Sequence, residues 1–251
     1  MPPRPSPTHF LCIPLVTGTS RQQLSASLAS FSADVINPNS FGVPEQAIRP
    51  VGTLHLTLGV MSFPKNEGLE KAVALLKTLV PRQILASITS SSPRLLLNSD
   101  QRAMEAKESP GPPLPLLSVT LKGLHSMQPA AKASVLYAPP IDPEGILAKF
   151  CEALRTYFQE AGLMAEENRP LLLHATILNT IYVKGRNSSP SARGKKHEKL
   201  TIDARQILER YDDYLWMRDV PIEKIAICRM GAKIQEDGDA AYEVESEIDI
   251  T

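Results

Sequence analysis

Two stretches of the chain repeat one pattern, a histidine and a threonine separated by a single apolar residue. They are His55-Leu56-Thr57 and His174-Ala175-Thr176, and nearly half of the chain lies between them. Each lies in an apolar run of period two, 54–60 and 172–178, which is typical of a β-strand with one buried face. Because successive side chains of a strand point to opposite faces, the histidine and threonine of each pair share a face. The first run predicts a buried face formed by Leu54, Leu56, Leu58 and Val60.

The two pairs contain the groups that cleave a phosphodiester without a metal. The attacking oxygen needs a base and the departing oxygen an acid, and histidine, with an unperturbed pKa of about 6.5, can serve as either near neutral pH. The charge that develops on the non-bridging oxygens needs fixed donors, which a threonine hydroxyl two residues along the strand can supply. The hypothesis is that His55 and His174 carry the proton transfers and that Thr57 and Thr176 bind phosphate. It requires neither a metal nor an organic cofactor, and it leaves open which histidine is the base.

A simpler interpretation of the same strands stays open, in which two half-buried strands merely turn their polar faces to solvent. The other histidines have no partner at a useful spacing. His9 precedes the first strand and is predicted at the surface, His125 follows a strand in a loop, and His197 lies in a basic stretch. The sequence has no glycine-rich phosphate loop, Gly-x-Ser-x-Gly elbow or His-Glu-x-x-His motif. Asn179, Thr180, Tyr182 and Tyr137 are conceivable base or ribose contacts, and strand packing explains them equally well.

The charge balance favours a small ligand over a long nucleic acid. Lysine plus arginine and aspartate plus glutamate both number 27, so the formal net charge is zero. A neutral chain has no global field to hold duplex DNA by counterion release. A nucleotide or a short RNA with a phosphodiester fits this balance better.

Cysteine usage predicts an intracellular protein, nuclear or cytoplasmic. The three cysteines, Cys12, Cys151 and Cys228, are widely spaced and odd in number, so they form neither a disulfide framework nor a CxxC zinc motif. The apolar run 10–16 contains Pro14 and suits a buried strand better than a signal peptide. No stretch reaches the roughly 18 apolar residues of a membrane span, so no membrane partner is expected.

Helices and strands are predicted to alternate around the two histidine strands. Helices are predicted at 21–31, 67–80, 142–161 (with Gly162 as terminator) and 203–211, and strands at 10–15, 84–88, 95–97, 117–124, 134–138, 225–229 and 242–248. The order strand, helix, His-x-Thr strand recurs loosely in the second half, which predicts two α+β lobes flanking a groove. Residues 101–115, with four prolines, are predicted to be a surface insertion. The basic stretch 184–199 is predicted to be a solvated loop, with guidance of a phosphodiester or a nuclear address as alternatives.

The paired motifs resemble the two-histidine phosphoesterase superfamily, which includes RNA 2′,5′-ligase-like and cyclic phosphodiesterase proteins. Residues 173–180 and 203–208 are most similar to the C-terminal phosphoesterase-like domain of activating signal cointegrator 1 complex subunit 1, which is related to the A-kinase anchor protein 7 type. The resemblance implies a bilobal, duplicated α+β fold with a central groove between two antiparallel sheets. The proline-rich start of the chain predicts a flexible N-terminus over 1–9, and the resemblance implies one two-lobed domain over 10–251.

The resemblance also implies an activity and partners. It makes His55 and His174 the catalytic pair and Thr57 and Thr176 the phosphate-binding residues of a phosphodiesterase acting on RNA ends, 2′,3′-cyclic phosphates or 2′,5′-linked oligonucleotides. The alternative is a nucleotide- or RNA-binding regulatory subunit, without turnover, of a transcription coactivator or DNA-repair complex. A third possibility is a scaffold for partner proteins whose groove is vestigial.

Overall fold

The structure, a computed structural model, describes residues 6–90, 117–166, 169–183 and 200–250. The strand predicted at 95–97, the insertion predicted at 101–115 and the basic stretch 184–199, with His197, lie outside the described residues.

The described residues form eleven strands and five α-helices. The strands are β1 (His9–Pro14), β2 (His55–Met61), β3 (Ser118–Lys122), β4 (His125–Ser126), β5 (Val135–Ala138), β6 (Ala175–Asn179), β7 (Leu215–Pro221), β8 (Lys224–Arg229), β9 (Lys233–Ile234), β10 (Ala240–Ala241) and β11 (Val244–Asp249). The helices are α1 (Arg21–Ile36), α2 (Leu69–Thr78), α3 (Pro81–Ser90), α4 (Ile146–Glu160) and α5 (Arg205–Arg210).

Each half of the molecule is built on an antiparallel sheet. The first has the strand order β11-β8-β1-β2. In the second, β4-β5-β6 and β3-β7 are joined because Ile141 N donates to Thr120 O at 2.8 Å and Lys122 N to Pro139 O at 3.4 Å. The second sheet therefore also has four strand positions, which are β7, β3 continued by β4, β5 and β6. This is the predicted α+β architecture of two antiparallel sheets, and the similarity of the halves fits a duplication.

The helices tie the two halves to one core. Helix α1 packs on β7 of the second sheet, where Ser27 Oγ donates to Trp216 O at 2.8 Å, and α4 packs on β2 of the first sheet. Apolar residues at helical spacing on α4 are fully buried, among them Phe150, Leu154 and Phe158. One continuous apolar cluster includes residues of both sheets and of all five helices. Burial of this shared cluster holds the groove between the sheets in place.

The alternation of β2 holds for four residues and then breaks. Leu56 and Leu58 are fully buried while His55 and Thr57 are half-buried on the other face. The pairing with β1 shifts between Leu11 and Cys12, which is a β-bulge. Beyond the bulge, Val60 packs on the groove side of the sheet with Phe10 and Cys12. The prediction that Val60 lies on the buried core face was therefore wrong. Gly59 takes the core side, where an added Cβ would lie 2.1 Å from Met164 Sδ.

Two other predictions were wrong. Residues 84–88, predicted to be a strand, lie in helix α3, which begins with Pro81, a residue whose fixed φ suits the first turn of a helix. His9, predicted at the surface, is fully buried at the start of β1, because β1 is a central strand and its first residue lies between Phe63 and Glu245.

The chain ends and helix ends refine the predicted boundaries. Thr8 N donates to Met61 O at 2.9 Å, so residues 8 and 9 join the sheet rather than a flexible N-terminus. Gly162, at φ +69, follows α4 as predicted. Among the described residues no single helix is long and apolar enough to cross a membrane, although α2 and α3 together pass that test as a pair bent by 59°.

Candidate active site

The segment that leads into β2 is hydrogen-bonded to the edge of β6, which brings the two histidine strands together. Arg49 N donates to Ile177 O at 2.9 Å, and Ile48 forms a bridge with Leu178. A short 3-10 helix, Val51–Thr53, then turns the chain into β2. The His55 motif therefore begins six residues after Arg49, which is hydrogen-bonded to β6, the strand of the His174 motif. Strands β2 and β6 are in direct contact.

Both imidazoles are held in the same way. His55 Nδ1 lies 2.7 Å from Thr53 O, and His174 Nδ1 lies 2.8 Å from Leu172 O, in each case the carbonyl two residues earlier. A carbonyl oxygen can only accept, so the hydrogen is on Nδ1 and the neutral rings carry their lone pair on Nε2. The backbone thus fixes one tautomer for both histidines and leaves Nε2 as the atom that meets a ligand.

The two threonines occupy the predicted faces. Thr57 is half-buried and lines, together with His174, a cleft of about 240 Å³. Thr176 is half-buried opposite Tyr137 on β5, and it shares a face with His174 because Ala175 and Ile177 between and beside them are fully buried. All four predicted site residues are therefore half-buried; three lie on strand faces and His174 immediately precedes β6.

The pKa of His55 is far below that of a solvated histidine. This pKa falls to about 4, mainly because of burial; the hydrogen bond to the Thr53 carbonyl opposes this fall, and the charges of His174 and Arg49 add to it. Removing the ring from water disfavours its charged form, and nearby cations add to that cost. His55 is therefore a neutral imidazole at pH 7.

A buried arginine is the site residue that the sequence pattern missed. The Arg49 guanidinium lies 3.8 Å from the centre of the Tyr182 ring, and its Nη2 donates to Tyr242 Oη at 3.5 Å. Burial raises the pKa of the Tyr242 hydroxyl, so this group keeps its proton. Arg49 lies in a proline-rich stretch with no periodicity, so no sequence signal marks it. Tyr182, one of the conceivable base contacts, makes a cation–π contact with Arg49.

Beside His55 lies a small aromatic chamber. It has a volume of about 200 Å³, and its walls include Phe10, Cys12, Cys228 and Tyr242. The Phe10 ring centre is 4.7 Å from that of His55, and the Tyr242 ring stands edge-on at 5.3 Å. Asp239 links two residues that line the chamber: it accepts a hydrogen bond from Gly52 N at 2.9 Å and forms an ion pair with Arg21 at 3.0 Å. Phe10 is buried in contact with the rings of His55 and Tyr242, and the chamber is a largely apolar recess beside His55.

Other polar residues near the second motif have partners within the fold. Tyr137 packs edge-on against His174 at 5.4 Å, and His125 stacks on the far side of Tyr137 at 5.7 Å, one layer away from the site. Asn179 Oδ1 accepts from Ile181 N, and the buried Thr180 hydroxyl donates to Leu200 O. Within the described ranges no three His, Cys, Asp or Glu side chains cluster in a way that could hold a metal ion.

The chain matches known proteins over almost its full length. A family model, the AKAP7 2′5′ RNA ligase-like domain, matches residues 7–250. Among solved structures it resembles TT0787 of Thermus thermophilus, with a TM-score of 0.50 and 16% identity over 97% of each chain. It also resembles E. coli LigT complexed with 3′-AMP, with a TM-score of 0.48 and 16% identity over 98% of each chain.

A curated relative matches part of the chain. An uncharacterized protein of Schizosaccharomyces pombe is 30% identical over 128 residues, which are 51% of this chain. The match spans about half of that relative, 55% of its length.

Proposed function

The chain belongs to the AKAP7 2′5′ RNA ligase-like domain family, within the two-histidine phosphoesterase superfamily, and on that premise we propose that it is a metal-independent phosphodiesterase. Its proposed substrates are RNA ends, 2′,3′-cyclic phosphates and 2′,5′-linked oligonucleotides. The observation that carries the proposal is the matched pair of imidazoles, each fixed at Nδ1 by a backbone carbonyl, at the junction of the two sheets.

In the proposed reaction His55 is the general base. Its ring is neutral near pH 7, and the bond from Nδ1 to Thr53 O leaves the Nε2 lone pair to accept a proton. That proton comes from water or a ribose hydroxyl as its oxygen attacks phosphorus. The negative charge of the bound phosphate raises the pKa of the ring, so the base becomes stronger once substrate is present.

His174 is the proposed general acid. For this role it must carry a proton on Nε2 as well as on Nδ1, and it gives the Nε2 proton to the leaving oxygen as the bond from phosphorus to that oxygen breaks. One proton is thus taken by His55 and one is returned by His174. The hydroxyls of Thr57 and Thr176 donate to the non-bridging oxygens, and the fixed charge of Arg49 opposes the negative charge that builds on them.

The test uses the purified chain in EDTA with 2′,3′-cyclic AMP and with a 2′,5′-linked adenosine dinucleotide. Ring opening or cleavage is expected, and His55→Ala and His174→Ala should each lose about 100-fold or more in kcat, since a positioned acid or base contributes roughly that much. His125→Ala, one layer behind the site, is the matched control and should retain activity. Wild-type rates in either catalytic variant would overturn the mechanism.

The low pKa of His55 favours one second candidate. A base works best when its pKa lies near the operating pH, and a value of about 4 is far from 7. The groove could instead grip a phosphate without turnover, as a nucleotide- or RNA-binding regulatory subunit. Tight binding of AMP or a short RNA, with no turnover over a broad panel of diesters, would decide for this candidate.

The cellular setting belongs to the same proposal. We place the protein inside the cell, in the nucleus or the cytoplasm, with a nucleotide or short RNA as its ligand. For the regulatory candidate the proposed partner is a transcription coactivator or DNA-repair complex, which rests on the likeness of residues 173–180 and 203–208 to the cointegrator subunit. Co-purification of the tagged chain with such a complex tests this setting.

A further inference from the structure

We propose that Cys12 and Cys228 form an oxidation site, in which a peroxide converts the two thiols to a reversible disulfide in the wall of the chamber beside His55. Neither cysteine takes part in the proposed reaction, so the site stands independently of the proposed function. Thiols are the resting form of such a pair in a reducing compartment, and the disulfide forms when an oxidant is present.

The two cysteines lie on neighbouring strands and on the same face of the first sheet. Cys12 is on β1 and Cys228 is on β8, and in the antiparallel pairing of these strands Cys12 lies opposite Ala226, two residues from Cys228. Together with Phe10 and Ala226 the cysteines form a small buried cluster that is distinct from the main core. Their Sγ atoms lie 3.8 Å apart, so that one thiol donates to the other.

The two sulfurs need only a short further approach to form a bond. A disulfide bond is about 2.05 Å long, so the sulfurs must move together by about 1.8 Å from their separation of 3.8 Å. Cysteines whose side chains point apart cannot be bridged without movement of the backbone. These two already point towards each other, and hydrogen bonds between β1 and β8 hold their strands side by side.

The chamber provides the path by which a small oxidant reaches the thiols. Cys228 is 4% exposed and Cys12 is 1% exposed, yet both line this cavity of about 200 Å³. The cavity is much larger than the roughly 30 Å³ that one water molecule occupies in the liquid. Hydrogen peroxide is little larger than water, so it can enter and meet both sulfurs.

The proposed reaction is a two-electron oxidation of the pair. The sulfur of Cys228, the more exposed residue, attacks one oxygen of hydrogen peroxide; the O–O bond breaks, and a sulfenic acid and one water form. The Cys12 sulfur then attacks the Cys228 sulfur, the S–S bond forms, and the hydroxyl leaves with the Cys12 proton as a second water. The hydrogen bond with Cys228, together with burial, raises the pKa of the Cys12 thiol, so Cys12 keeps its proton until this second step.

The disulfide would strengthen the sheet that carries His55. It would join β8 to β1, and β1 is hydrogen-bonded on its other side to β2, the strand of His55. The two cysteines are 216 positions apart, and a cross-link that closes a long loop stabilises the fold by restricting the unfolded chain. The oxidised protein should therefore melt roughly 5–15 °C higher than the reduced protein.

The test treats the folded, purified chain with hydrogen peroxide and then alkylates the remaining thiols in denaturant. Digestion without reduction, followed by mass spectrometry, should identify two peptides joined through Cys12 and Cys228, which dithiothreitol separates. Cys151, a buried cysteine of α4, should be alkylated in the same sample. Thermal unfolding should show the higher melting temperature in the oxidised wild type and in oxidised Cys151→Ala, the matched control, whereas oxidation of Cys12→Ala should leave its melting temperature unchanged.

Three results would overturn the oxidation site. One is oxidation that ends at a sulfinic or sulfonic acid on Cys12 or Cys228 without a linked peptide. Another is a disulfide that includes Cys151, or thiols that all remain after prolonged exposure of the wild type to peroxide. The third is an equal rise in melting temperature in the wild type and in Cys12→Ala. The linked peptide is measured in the wild type, so the site stays testable even where a cysteine variant does not fold.

Discussion

Burial of His55 should make the stability of the protein depend on pH between about 6.5 and 4. The folded-state pKa of His55 is about 4 and the ordinary value is 6.5, so the unfolded chain binds the proton more readily in this range. Stability from the neutral ring is therefore complete above pH 6.5 and is lost as the pH falls towards 4. Between pH 7.5 and 5.0 the loss amounts to about 2 kcal/mol, since each pKa unit is worth about 1.36 kcal/mol.

The assay compares wild type with His55→Gln, which keeps a polar side chain but cannot titrate. Urea unfolding of both proteins at several pH values gives their free energies of unfolding, and their difference isolates His55 because the other titrating groups are shared. The wild type should lose about 2 kcal/mol relative to the variant between pH 7.5 and 5.0. Parallel curves for the two proteins would refute the view that burial holds this ring neutral.

Two further predictions concern residues around His55. Arg49→Gln removes a charge that lowers the pKa of His55, so the acid limb of the pH profile of kcat/KM should move to higher pH. Arg49→Lys keeps the charge and should leave the acid limb in place. An acid limb that does not move in the glutamine variant contradicts this role of Arg49. Gly52→Ala should lower the melting temperature and raise KM, because the new Cβ would lie 2.6 Å from the backbone oxygen of Ala240. Gly18→Ala, with open space around it, is the control in thermal unfolding, and equal effects of the two substitutions would show that the Gly52 contact does not matter.

The two histidine strands could be predicted because burial of one face imposes a strict period. Leu56 and Leu58 are fully buried and their polar neighbours face the groove, as the alternation requires. Val60 does not follow the alternation because a β-bulge in the pairing with β1 inserts one extra residue in β2. The local sequence of β2 does not indicate this bulge. Helix α3 was predicted to be a strand because a short apolar run has no distinctive period. In the structure it packs against α4.

The features that make a site out of two strands are tertiary, and the sequence does not display them. The convergence of the motifs depends on the bond from Arg49 N to Ile177 O, between residues far apart in the chain. The same fold places the Arg49 guanidinium over Tyr182, which neither composition nor spacing indicates. The tautomer of each ring follows from a carbonyl two residues earlier, a local contact that depends on the exact turn into the strand.

The most direct test is a crystal structure of the protein with a bound nucleoside monophosphate, examined for the groups around phosphorus. The account predicts that Nε2 of His55 and Nε2 of His174 each lie about 2.6–3.2 Å from oxygens of the same phosphate, with the hydroxyls of Thr57 and Thr176 donating to the remaining ones. A phosphate that touches one histidine alone, or that binds outside the groove, would contradict it.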